Sequence, residues 1–484
     1  MEHINFNYDD LRDKIYGCWT GKNIGGTLGA PFEGQNKILD VTGYTNATGE
    51  PLPNDDLDLQ LVWLKAAQEQ GPKALNARVL GEYWLNYVPP YWNEYGIGKV
   101  NMRAGMQPPI SGMYANEVWR NSNGAWIRTE IWACLAPGCP DLAVKYAYED
   151  ACVDHGNGEG TFAAMFVAAV ESAAFVISDR DELIKIGLSK IPLDCRVAKS
   201  IKMALDCYEK GIDWKEARTM IAKDSEDIGY FQAPANVAYA MLGWVYGEGD
   251  FGKSMLTAVN CGDDTDCSAA TLGSILGIIR GRKSIPVEWI EPIGDRIITM
   301  ALDKGSMQPP PTCDNLTDQV MDLLPTWLAS APTNVRVSCA PTDTSKASEF
   351  NYTDNSAAKI LWARSGYDVV YDFTHTRVVL DYGKDPVLKI GEPFELTLTL
   401  TNLMPDSRHL ELIWHLPDGI KALPGNRHHA YIAHSDLYGP GKPSIMKIQI
   451  SADDLSSARI RGSLEILAEG RPTVGYVPLL FIAG

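Results

Sequence analysis

Residues Gly262 to Gly277 read GDDTDCSAATLGSILG. Three acids, Asp263, Asp264 and Asp266, crowd its first five positions, and Ser268 to Arg280 continues as apolar and small residues at helical spacing. A second stretch has the same design. Asn54-Asp55-Asp56, with Asp58 one step on, stands directly before the apolar run Leu59 to Ala67. One or two carboxylates satisfy a helix start and complement the positive end of its dipole. Three within four or five residues repel one another, and Gly262 gives the backbone freedom to turn side chains inward. Both following helices are nearly continuous in apolar or small residues, which places their N-termini inside a bundle. Carboxylates gathered there need a cation to offset repulsion and desolvation. An all-oxygen ligand set favours Mg²⁺, with Ca²⁺ or Mn²⁺ as alternatives, over Zn²⁺. On spacing alone, capping and metal binding both stay open.

Outward from these two stretches, helical periodicity holds from Asp10 to about Ser330. Thr161 to Ile177 and Val237 to Tyr246 are examples, rich in Ala and Gly as closely packed helices require. After the polar stretch Pro341 to Ser356 the period becomes two. Glu395 to Thr401 (ELTLTLT), Ser444 to Ile450 (SIMKIQI) and Val474 to Ile482 are separated by turns at Gly391-Glu392-Pro393, Pro417-Asp418-Gly419 and Gly439-Pro440-Gly441. The expected fold class is mainly α, with an all-α helical domain followed by a C-terminal Ig-like β-sandwich. The expected domains are 1–335 (helical, catalytic), 336–365 (linker) and 366–484 (β-sandwich).

The 484 residues carry 45% hydrophobic and 21% charged side chains, a globular composition. Forty-three basic against 61 acidic side chains leave a net charge of −18, which argues against nucleic acid and anionic membrane as partners. The stretch Thr161 to Ile177 is short and interrupted by Glu171, so it reads as a buried helix and not a membrane span. No basic flank followed by an apolar stretch opens the chain, so no secretory signal is expected. Ten cysteines without CxxC pairs are no disulfide framework. A cytoplasmic protein is expected, with a homo-oligomer left open.

These motifs resemble the ADP-ribosylglycohydrolases, including the dinitrogenase reductase-activating glycohydrolases. The family's Gly-rich opening is similar to Gly21 to Glu33 (GKNIGGTLGAPFE), its Thr-Asp-Asp to Asn54-Asp55-Asp56, and its closing motif to Gly262 to Gly277. Gly124 to Pro137, Asp154 to Phe175 and Pro234 to Val245 are similar to its large bacterial branch. The resemblance implies an ADP-ribosylglycohydrolase-like, orthogonal helical fold with one or two Mg²⁺ ions between the acidic clusters. It implies metal ligation by Asn54, Asp55, Asp56, Asp264, Asp266 and the Cys267 position, where the family has Thr. Asp263 falls where the family has Gly and is not expected to ligate. Gly26 replaces an Asp often found in the first motif.

Glu33 ends that first motif on a loop over the metals, where the resemblance implies that it positions or deprotonates water, together with Asp55 and Asp56. Gly124, Arg128, His155 and Asn157 are the substrate-binding candidates. His155 lies in a Gly-rich turn before a buried helix, and the Arg128 guanidinium suits a phosphate fork or a buried ion pair equally. The activity implied is metal-assisted hydrolysis of a ribosyl glycosidic bond in a small-molecule or ADP-ribosylated substrate. Alternatives are a glycosidase or nucleosidase of the same fold acting on another sugar conjugate, or a non-catalytic ligand-binding descendant.

Overall fold

The computed structural model describes residues 3–45, 49–303, 305–434 and 441–484. Two compact units are present: Met1–Lys99 with Ala115–Ala363, and Val100–Tyr114 with Arg364–Gly484. The turn expected at Gly439-Pro440 lies outside the described residues.

The first unit is mostly helical. Its centre is a pair of antiparallel helices, Tyr8–Gly29 and Thr265–Arg280, far apart in the chain. Glycines at every fourth position of the first helix set one bare face against the second. Gly17 meets Gly277, Gly21 meets Gly273, Gly25 meets Ala269, and Gly29 meets the backbone at Asp266. The Glu159–Ala174 helix beside them is apolar on all sides and almost wholly buried, which is why it is greasy without spanning anything. Among the described residues no helix is long and apolar enough to cross a membrane. Val335–Ser338 pairs in parallel with Ile4–Asn7, so the polar stretch that follows stays with the first unit.

The second unit is β-rich. One five-stranded sheet runs Asp368–Asp372, Thr376–Asp381, Phe394–Asn402, Ser444–Ala452, Ile420–Leu423, and the other runs Val387–Leu388, Val474–Ala483, Arg459–Ala468, Arg408–His415, Arg427–Ile432. Burial alternates along Phe394–Asn402 as the period-two pattern demands. Phe394, Leu396 and Leu398 sit opposite Ile450, Ile448 and Met446. Leu396, Leu412, Leu464 and Phe481 share one apolar cluster with Met106 and Ile110 of the Val100–Tyr114 segment.

Candidate metal centre and cavity

The glycine-faced helix pair delivers half of the site. The chain leaves the Tyr8–Gly29 helix beside Asp266 and reaches Glu33 four residues later. Gly34 N–H donates to Asp263 O at 2.8 Å and Asp263 N–H to Gln35 O at 3.0 Å, which pins the Glu33 loop to the second acidic run. Gly262, at φ +72°, lies so close to the Gln35 and Lys37 carbonyls that a Cβ would overlap them. Asp263 is also left-handed, at φ 67°. That conformation is costly for a residue with a side chain, and it explains a glycine preference at this place. The Asp263 carboxylate accepts from Phe231 N–H and Asn236 Nδ2, each at 3.2 Å.

The Asp55–Ala74 helix delivers the other half. Asn54 caps it, its Oδ1 accepting Asp56 N–H at 2.7 Å. Capping is thus met by the amide and the aspartates are released from it. A Cβ at Gly26 would overlap the Asn54 amide, so the two departures from the family pattern fit each other. Asp58 turns away from the cluster and accepts Met300 and Ala301 N–H, both at 2.6 Å. In the second run Asp264 stands at the helix N-cap but makes no capping bond. Its Oδ2 accepts from Asn123 Nδ2 at 2.6 Å, while Oδ1 is buried without a hydrogen-bond partner.

The two halves meet. Ligand atoms of Asp56, Asp266 and Cys267 all lie within 4.8 Å of one another, as do those of Glu33, Asp264 and Asp266. Asp266 belongs to both groups. Cys267 Sγ donates to Asp56 Oδ1 at 3.4 Å across 211 residues of chain. Lys22, wholly buried beneath, puts Nζ 3.5 Å from Asp56 Oδ2 and 2.7 Å from Glu130 Oε1, and donates to Ile127 O at 2.6 Å. Asp55 Oδ2 accepts the Tyr95 hydroxyl at 2.9 Å.

The electrostatics show what the cluster lacks. Burial, reinforced by Glu33 and Asp56, pushes the Asp264 carboxyl up to about 8. Burial raises Asp56 well above the carboxylate range against the pull of Lys22, and raises Asp266 with Asp264, Glu33 and Asp55 adding. The Cys267 thiol is raised too, by burial and then by the surrounding acids. Asp264 Oδ1 and Asp266 Oδ1 are buried with no hydrogen-bond donor. Oxygens in that state fit a divalent cation, which would supply the missing charge.

A cavity of ≈190 Å³ opens above the cluster. Asp55, Asp264 and Asp266 form its acidic floor with Cys267, Glu33 lies at an exposed edge, and Gly124 lies on the wall. The other substrate candidates lie elsewhere. Arg128 is fully buried, with Nε 2.8 Å from Asp150 Oδ1 and Nη2 2.7 Å from Asp154 Oδ1, under the rings of Trp84 and Trp63. His155 is fully buried, its Nδ1 2.8 Å from Asp154 Oδ1 and its Nε2 3.0 Å from Ser122 Oγ. It reaches the cavity only through Ser122, which is on the wall. Asn157 is half-buried, outside the lining.

Sequence reasoning missed several wall residues. Glu94 is buried, with Oε2 unpartnered, and burial raises it to about 7. Trp92, Tyr95, Trp119 and Phe231 supply rings, and Asn123 orients Asp264 while accepting from Trp126 Nε1 at 3.0 Å. None stands in an acidic run or motif. The adjacency of Asn123 to Gly124 was the one available signal.

Fold and centre define a helical protein whose buried Asp/Asp/Cys cluster is consistent with a metal-assisted hydrolase. The ADP-ribosylglycohydrolase profile matches residues 7–321, and the chain belongs to that family. An uncharacterized protein of Archaeoglobus fulgidus is 25% identical over 315 residues, 59% of this chain and 93% of the relative. A solved structure described as an ADP-ribosylglycohydrolase-related protein complex aligns with 66% of this chain and 99% of its own, at 19% identity and a TM-score of 0.45. The GAE domain of GGA2p from Saccharomyces cerevisiae aligns with 24% of this chain and 96% of its own, at 11% identity and a TM-score of 0.15.

Proposed function

We propose that the chain is a divalent-metal-dependent hydrolase of a ribosyl-type glycosidic bond. The observation that supports it most is the sharing of Asp266 between two ligand groups on the floor of an open cavity. Asp55, Asp56, Asp264 and Asp266 would hold the cation, with Cys267 a soft neighbour and Asn54 reserved for the helix cap. Carboxylate donors favour Mg²⁺, or Mn²⁺ or Ca²⁺, over Zn²⁺. Such a cation would supply Lewis acidity and lower the pKa of a nearby water.

The protein's own groups do the rest. Glu33, at the exposed edge, takes a proton from the attacking water. The water oxygen bonds to the anomeric carbon, the bond to the leaving group breaks, and the leaving group takes a proton from solvent while Glu33 releases its own. Cationic charge develops on the ring in such reactions, and the acidic floor stabilises it. Gly124 lets Glu94 and Tyr95 pack close, because a Cβ there would overlap the Glu94 carboxylate, while Arg128 and His155 position the wall through Asp154 and Ser122. The catalytic role falls to the helical unit, and the two sheets of the second unit read as an Ig-like β-sandwich. Ten free thiols suit a reducing, cytoplasmic setting.

The test is turnover of a glycoside panel with and without chelator, by wild type and by Asp266→Asn. Activity should vanish in both deprived cases while the far-UV circular dichroism stays unchanged. Full turnover under chelator would remove the metal from the mechanism.

A further inference from the structure

Resting on the hydrolase reading, we propose that the cavity takes a phosphate-free glycoside, a single sugar ring carrying a neutral or cationic leaving group. Its lining is the first argument. Glu33, Asp55, Glu94, Asp264 and Asp266 put five carboxyl groups on one small cavity. Ionised, such a group repels an incoming phosphate; protonated, it offers no positive charge to hold one. A divalent cation on the floor would answer the carboxylates it touches, while Glu94 stands on the wall, apart from both ligand groups.

Two buried cations near the cavity are committed inward. Arg128 is bound to Asp150 and Asp154, and Lys22 to Glu130 and the Ile127 carbonyl, all buried. Among the described residues lining the cavity none is a lysine or arginine. Side-chain recognition of phosphate rests on such forks and point charges.

Size and wall chemistry agree. The ≈190 Å³ volume is below the range usual for drug-sized ligands and suits one ring. Trp92, Trp119 and Phe231 stand in the lining, and aromatic faces attract both apolar sugar faces and cations. Phe231 is held at φ 59°, left-handed for a bulky residue, by its N–H bond to Asp263. Strain of this kind persists where surroundings enforce it, commonly at binding sites. Its ring also packs at 3.7 Å from the Cβ position of Gly34, beside Glu33.

Two measurements on the full chain with Mg²⁺ test the inference. In the first, 4-nitrophenyl ribofuranoside and an N-ribosylguanidine compete as substrates with ADP-ribosylarginine and ADP-ribose-1″-phosphate. In the second, methyl ribofuranoside and ADP-ribose are titrated against tryptophan fluorescence, with Trp92→Phe and Trp119→Phe assigning the signal. The phosphate-free member should win each comparison by at least about tenfold. Preference for the ADP-ribosyl compound in turnover or in binding overturns the substrate class, and so does failure of methyl ribofuranoside to bind. No turnover of any glycoside, with methyl ribofuranoside still bound more tightly than ADP-ribose, would instead sink the hydrolase reading and leave the class standing.

Discussion

Gly21 and Gly273 touch backbone to backbone, each so near the other's carbonyl that a Cβ on either would fall well inside 3.0 Å of it. The contact fixes the axial register of two helices, and register is what sets Glu33 beside Asp266. A side chain here has neither a rotamer to escape into nor a flexible neighbour to displace. Gly273→Leu should therefore destabilise the helical unit by more than about 3 kcal/mol, beyond ordinary overpacking. Urea unfolding followed by far-UV circular dichroism measures it. A loss under about 1 kcal/mol would mean that the helices slide freely.

Asp266 serves both ligand groups, whereas Asp56 serves one. Stabilisation by a bound cation grows with its saturation, to about 2.7 kcal/mol at a hundred times Kd. Millimolar Mg²⁺ should raise the melting temperature of chelator-treated wild type, do so weakly in Asp56→Asn, and not at all in Asp266→Asn. Equal shifts in all three proteins would place the cation elsewhere.

Glu94 carries a pH signature of its own. Burial raises it from 4.5 to about 7, with Asp154 adding and with His155 and Ser122 opposing. A carboxyl raised on folding binds its proton more tightly in the native state. Its contribution to stability is complete below pH 4.5 and is lost as pH rises through 7. Over that span the loss is roughly 3 kcal/mol. Glu94→Gln, which cannot ionise, should flatten that part of the stability–pH curve in chelator-treated protein. Curves that fall in parallel would assign the effect to other carboxyls.

Much of this could be read from residues alone because it rests on local period and local crowding. Alternation along Phe394–Asn402 signals a strand wherever it pairs, and three acids within five positions signal repulsion whatever surrounds them. Lys22, Glu94 and Asn123 were illegible for the opposite reason. Each is an ordinary polar residue whose meaning comes from partners far along the chain, as Asn123 meets Asp264 across 141 residues. Arg128 was half legible: its motif marked it as important, but not whether it faces a ligand or Asp150 and Asp154. The Val100–Tyr114 segment joins the β-rich unit through Met106 and Ile110 with no period of its own to announce it.

Arg128 gives a test of that ambiguity. Removing one member of a buried charge network leaves the others uncompensated, at a cost of about 3–5 kcal/mol. Arg128→Met should lose stability on that scale, through Asp150 and Asp154. Arg128→Lys should fold better, with KM for a phosphate-free glycoside unchanged. A selective rise in KM for a phosphorylated substrate, with stability intact, would return Arg128 to the ligand.

Cys267 gives the last prediction. Its thiol donates to Asp56 Oδ1 at 3.4 Å and lies among the acids as a protonated, weak donor. Sulfur is a poor partner for Mg²⁺, and an oxygen in the same place is a good one. Cys267→Ser keeps the volume close and exchanges sulfur for oxygen, while Cys267→Thr adds a methyl that must find room in a buried site. Mg²⁺ affinity by calorimetry should rise about tenfold in the serine variant and as much or less in the threonine one. Affinity for Zn²⁺, which accepts thiolate, should fall in both. Unchanged Mg²⁺ binding with undiminished Zn²⁺ binding would mean that Cys267 touches no cation, leaving the carboxylates to hold it alone.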